Sequence, residues 1–270
     1  MTPTELFHAG QLKDAIDAQV AKVRSAPADN PARFFLFELF LFAGDLDRAR
    51  KQLDVLRYDD PKHSAAVEQY RHALDAEAKR RAVFAGTDQP KGLAGAPDHV
   101  RLRFEALPYL VRGEHAEARR RLDEANAAVP TLSAAVNGLP AEGLYDADER
   151  FGTVVEVFAT GGIYSWVPLE RITEITMNPP RSPRDVALRP AHLVLSDGLE
   201  GDVLLPGLYP LTHEHPDDAV KLGRETEWVG GDTGVTRGAG GRVLLAGGNL
   251  RPFSSVNQIL PTPPAGSGDA

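Results

Sequence analysis

The sequence predicts an α+β protein in two parts: an all-α array of helical-hairpin repeats over residues 1–145, then a mainly antiparallel, small-barrel-like β domain over 146–260. Three observations predict it. A Gly–Ala–Pro pattern recurs through the first half, apolar periodicity turns from helical to alternating near Phe151, and composition shifts at the same place. Residues 1–145 carry 20 basic and 21 acidic side chains, whereas 146–270 carry 10 and 17.

The repeat is Gly, then Ala five residues on, then Pro twelve after that. It occurs as Gly10–Ala15–Pro27, Gly44–Ala49–Pro61 and Gly113–Ala118–Pro130. The first two copies are offset by 34 residues and the third lies 69 beyond the second, which resembles the tetratricopeptide period. Gly suits the turn, Ala a close helix crossing, and Pro the start of the next helix, with Asn30 and Asp60 as caps before Pro31 and Pro61. Five of the eleven phenylalanines fall at Phe34, Phe35, Phe37, Phe40 and Phe42, around more than one helix face, so that helix should be central. Glu38 within it is expected to be paired with an arginine or turned outward, with partner binding as the alternative. The basic triplets Lys79–Arg81 and Arg119–Arg121 read as solvated faces with Glu77 and Glu117 at helical spacing, or as a dock for an acidic peptide.

In the second half, Thr153–Ala159 and Ile163–Val167 read as a hairpin about Gly161-Gly162. Ile172–Met177 follows, then His192–Leu195 and Asp202–Leu205 about Asp197-Gly198, then Arg242–Ala246. Gly230–Gly241 reads as a mobile loop, since it lacks the Gly-Lys-Ser/Thr of a phosphate loop. The Pro/Gly-rich tail 261–270 reads as disordered.

Composition excludes much. The absence of cysteine removes disulfides, thiolate metal sites and a cysteine nucleophile. A net charge of −8 argues against a nucleic-acid partner, which needs a basic surplus. The most apolar stretch, 34–43, is half of a membrane span and is broken by Glu38. With no apolar leader in the first thirty residues, a cytoplasmic location is expected. No catalytic constellation and no cofactor motif stand out. A metal-dependent hydrolase centred on His213 and His215 is an alternative, with two imidazoles two residues apart beside Asp217 and Asp218 but no third ligand set by the spacing. Trp166, Arg224 and Trp228, with Glu38, are the candidate partner-binding residues, because tryptophan and arginine anchor interfaces when exposed.

Several segments then converge on one family. Arg33–Leu39, Phe42–Ala49 and Lys51–Asp54, followed by Arg150-Phe151-Gly152, Glu156–Phe158, Tyr164–Pro168, Leu204–Pro206, Leu208–Pro210 and Leu222–Trp228, resemble the ImpE (TagJ) family over about residues 5–250. The resemblance implies a non-enzymatic, cytosolic accessory protein of a bacterial type VI secretion system. It implies binding to the small contractile-sheath subunit and a link from the sheath to its AAA+ disassembly ATPase, with no membrane insertion. Stacked helix pairs would suit a docked helix. A generic tetratricopeptide-like co-chaperone is the other binding alternative.

Overall fold

The structure, a computed structural model, describes residues 1–130, 132–231 and 234–262. Seven helices come first: α1 (Pro3–His8), α2 (Leu12–Ser25), α3 (Asn30–Phe42), α4 (Leu46–Val55), α5 (Pro61–Phe84), α6 (Asp98–Val111) and α7 (His115–Ala128). The strands β1 (Ser133–Val136), β2 (Leu139–Glu142), β3 (Leu144–Asp146), β4 (Val154–Ala159), β5 (Ile163–Pro168) and β6 (Ile172–Met177) follow. After the short helix α8 (Pro183–Ala187) come β7 (Leu188–Leu195), β8 (Glu200–Pro206) and α9 (Asp218–Lys221). The chain continues through β9 (Thr226–Val229), β10 (Arg237–Gly240), β11 (Val243–Ala246), β12 (Asn249–Pro252) and β13 (Gln258–Thr262).

The Gly–Ala pattern has a direct geometric meaning. Gly10, Gly44 and Gly113 follow α1, α3 and α6 with φ of +80°, +73° and +73°, the left-handed turn that lets the chain reverse. Ala15, Ala49 and Ala118 sit one turn into the returning helices α2, α4 and α7, fully buried where the paired helices touch. Pro61 opens α5 under the Asp60 cap, whose carboxylate accepts from the Lys62 amide. At α3 the cap is Asp29, accepting from the Ala32 amide. Asn30 is already helical, and its side chain donates instead to the Arg57 carbonyl. Helix α3 is buried from Leu36 to Phe42, as its phenylalanines require.

At Gly44 the turn is also crowded, because a Cβ there would collide with the His213 side chain. Gly44→Ala therefore combines a positive-φ penalty with a clash. We expect a loss of about 2 kcal/mol or more, read from the urea midpoint.

Eight strands form one antiparallel sheet in the order β2-β1-β13-β6-β7-β8-β4-β5. Among the described residues nothing pairs β2 with β5, so the expected small-barrel-like closure gives way to an open sheet with two ends. A three-stranded sheet, β12-β11-β3, and the ribbon β10-β9 accompany it. Strands β1, β2 and two of the three residues of β3 precede the expected boundary at 145/146, and β1 pairs with β13. Pro261 and Thr262 belong to β13, while the rest of the tail expected to be disordered, 263–270, lies outside the described residues.

The glycine-rich stretch expected as a mobile loop holds β10, and its Asp232 and Thr233 lie outside the described residues. Close approach explains the glycines of β10. A Cβ at Gly238 would enter the Tyr209 ring, and one at Gly240 would meet the Glu225 carbonyl. The apolar core of the helices runs on into the sheet through Phe84, Phe151, Phe158, Trp166 and Tyr209. A second core beneath the sheet gathers Ile172, Ile175, Leu205, Val256 and Ile259.

Candidate partner-binding surface

Where α5 meets the sheet, charged side chains form a buried network. Arg80 of α5 grips Glu156 of β4 in a bidentate pair, Nε to Oε1 at 2.8 Å and Nη2 to Oε2 at 2.7 Å, and donates to the Leu208 carbonyl at 2.9 Å. Arg242 pairs with the same Glu156 and, at 2.7 Å, with Asp146 of β3. The Tyr164 hydroxyl donates to Glu156 and accepts from the Trp166 indole N–H at 2.6 Å. Tyr209 donates to Asp146 at 2.8 Å. Burial pushes Glu156 up, but the guanidiniums of Arg80 and Arg242 outweigh it and hold the carboxyl at about 2. Burial takes Asp146 the other way, up to about 6, against the pull of Arg242. The network joins the helices to the sheet by complementary charge. Arg80, read from the sequence as part of a solvated basic face, is thus a buried structural residue, and Lys79 donates to the Gly162 carbonyl at 2.9 Å. Arg120 does lie on an exposed face, between Glu117 and Glu124.

The candidate partner-binding residues do not come together. Glu38 is buried and receives Arg184 Nη1 at 2.6 Å, while Arg184 Nε donates to the Tyr70 hydroxyl at 2.8 Å, so the pair fastens α3 to α8. Burial raises the Glu38 carboxyl, with Arg184 opposing. Trp166 is buried among Phe84, Phe104 and Phe151 and offers no surface. Arg224 donates to the carbonyls of Phe7 at 2.6 Å and His8 at 3.0 Å, holding the end of α1. Of the four, Arg224 and Trp228 are open to solvent, and Trp228 is 39% exposed on β9 with its ring edge-on to Tyr209.

His213 and His215 are engaged separately. His213 lies against Gly44, and burial together with Arg81 lowers it to about 4. His215 Nε2 stands 3.1 Å from Glu227, and its Nδ1 accepts from the Asp217 amide. Among the described residues no group of three or more metal-ligating side chains occurs. A histidine held neutral below its unfolded pKa stabilises the fold above about pH 6.5, and that stability is lost as pH falls toward 4. His213→Gln should therefore flatten the stability profile between pH 7 and 5 by about 1 kcal/mol, discounted for its partial exposure, in urea melts at each pH.

Beside Trp228 opens a cleft of about 580 Å³ between α6–α7 and the β3–β11–β12 sheet. Arg103, Thr153, Tyr145, Leu245, Leu250 and Trp228 line it. Sequence reading missed all but Trp228. The one local cue was Gly152, with φ of +55°, over which the Arg103 guanidinium lies so closely that a Cβ would enter it.

The comparisons agree with this frame. The family described as ImpE protein matches residues 138–260. The type VI secretion system accessory component TagJ of Pseudomonas aeruginosa is 38% identical over 239 residues, spanning 88% of this chain and 84% of that protein. The crystal structure of protein VPA1032 from Vibrio parahaemolyticus superposes with a TM-score of 0.83 at 23% identity, covering 96% of this chain and 97% of that one, and so shares the fold. No helix among the described residues is long and apolar enough to cross a membrane. With 38% identity carried through both the helical and the strand regions, the chain belongs to the ImpE (TagJ) family.

Proposed function

We propose that the protein is a non-enzymatic, cytosolic adaptor of a type VI secretion system that binds a helix of the small contractile-sheath subunit and links the sheath to its AAA+ disassembly ATPase. The observation that carries the reading is the likeness to TagJ along most of both chains. The helical half supports it physically. Consecutive helices joined by tight turns, with small buried residues where the pairs touch, are consistent with a tetratricopeptide-like array that would take an apolar helix face between its helices. The charged groups that could suggest chemistry, Glu156, Asp146, Tyr164 and Tyr209, are tied to arginines and to each other.

The test is a pull-down of purified sheath subunit and ATPase by the full chain. We expect the sheath subunit to be retained at micromolar concentration and at high salt, because apolar helix docking is little screened. Retention of neither partner would end the proposal. Binding that collapses with salt would favour the co-chaperone mode, in which exposed basic faces hold an acidic peptide.

A further inference from the structure

The connection between β6 and β7 is longer than a hairpin needs. The two strands pair from Ile172–Leu195 to Met177–Ala191, and about two to five residues would close such a turn. Instead the chain runs through Pro179 and Pro180 into α8, which lies against α3 of the helical half.

What α8 meets there is an apolar wall with one carboxylate in it. Glu38 interrupts Leu36-Phe37 and Leu39–Phe42, and its side chain is 5% exposed. Arg184 covers it with a fork. Nη1 donates to Glu38 at 2.6 Å, Nε donates to the Tyr70 hydroxyl at 2.8 Å, and the guanidinium carbon lies 4.9 Å from the centre of the Phe34 ring. Val186 and Ala187 join the core that holds Phe7, Phe35 and Phe42. These are the contacts of an amphipathic helix seated in a groove, made here by only five residues, Pro183–Ala187.

The seat is shallow. Arg184 is 28% exposed, so the ion pair is open to water on its outer side. Behind α8 the fit is incomplete, with a void of about 40 Å³ among Leu41, Phe42, Ala187 and Leu211. Asp185, 4.0 Å from Arg184 Nε, is occupied as the cap of α8, accepting from the amides of Arg181 and Ser182 and from the Ser182 hydroxyl. A longer helix carrying the same fork would bury more of α3 than α8 does. Lifting α8 without supplying a cation would leave the Glu38 carboxylate unpaired in an apolar wall, which is costly, so the exchange is selective.

Resting on the adaptor reading for its partner, we propose that α8 is a plug held in cis. It covers the stretch of α3 on which the partner's helix docks, and that helix displaces it by presenting an arginine to Glu38 from among small apolar side chains. Lysine is a poor substitute, because one ammonium cannot serve Glu38, Tyr70 and the Phe34 face together.

The test uses the full chain and synthetic helical peptides with an Ala/Leu face and one guest residue, Arg, Lys or Gln, at its centre. The Arg peptide should bind roughly tenfold tighter than the Gln peptide, with Lys nearer to Gln. Glu38→Gln should erase that preference. Arg184→Ala, which frees the plug, should bind the Arg peptide roughly tenfold tighter than the wild type does. In the wild type, where no variant has to fold, hydrogen–deuterium exchange should quicken in α8 and slow in α3 when the Arg peptide is added. The proposal is overturned if the guests bind alike, if the preference survives Glu38→Gln, or if Arg184→Ala does not tighten binding. Exchange in α8 that stays unchanged or slows on binding overturns it equally. Repeating the exchange measurement with purified sheath subunit separates the two readings. Release of α8 by the Arg peptide with no retention of the subunit would leave the plug standing and end the adaptor assignment. Retention of the subunit with α8 still seated would do the reverse.

Discussion

Glu156→Gln should destabilise the protein by about 3–5 kcal/mol, the largest effect we expect from a near-isosteric change. The substitution leaves no cavity to speak of. It removes the carboxylate shared by Arg80 and Arg242, leaving Arg80 with its longer pair to Glu77 and Arg242 with Asp146, so two buried guanidiniums each lose an anionic partner. Guanidinium unfolding read by circular dichroism gives the magnitude. Combining Glu156→Gln with Arg80→Met should cost less than the sum of the single changes, because removing both partners of a buried pair spares the orphaned charge. The pH dependence has a fixed sign. The folded carboxyl is held at about 2 against an ordinary value of 4.5, so its contribution is complete above pH 4.5 and is lost as pH falls toward 2. Asp146, raised to about 6, acts oppositely, and its contribution is lost as pH rises from 3.8 through 6. The acid limb of the wild-type profile should therefore be steeper than that of Glu156→Gln.

The two tryptophans should separate cleanly. Trp166→Ala should cost about 3–5 kcal/mol, as truncation of a large buried aromatic does, and it also removes the indole donor to Tyr164 beside Glu156. Trp228→Ala should change stability by at most about 1 kcal/mol, since its ring is largely outside the core. Thermal melts of the two variants side by side check both. Equal losses would mean that the environments assigned here to the two side chains are wrong.

That contrast shows where sequence reading stops. The Gly10, Gly44 and Gly113 turns and the buried alanines were legible because a backbone requirement confines residue type at a fixed spacing. Strands β4, β5 and β6 were legible from alternation and local hairpin turns. Strand β1 was not. Ser133–Val136 has little β-branched character, and it is made a strand by β2 and by β13, which lies more than a hundred residues away. The same limit hid the function of charged residues. Glu38 could be called paired, but Arg184 is 146 residues distant, and Arg80 and Glu156 are 76 apart. Trp166 and Trp228 look alike as letters, and only the packing of Phe84, Phe104 and Phe151 separates them. The cleft draws on α6, α7, three strands of one small sheet and a ribbon, an assembly with no sequence period.

The central functional claim is that the helical hairpins receive a helix of the sheath subunit. Hydrogen–deuterium exchange of the full chain, with and without the purified small sheath subunit, tests it most directly. We expect slowed exchange concentrated in α1–α4, with the buried strands β4 and β7 unchanged. Protection confined to the strand half, or no protection at saturating subunit, would contradict it.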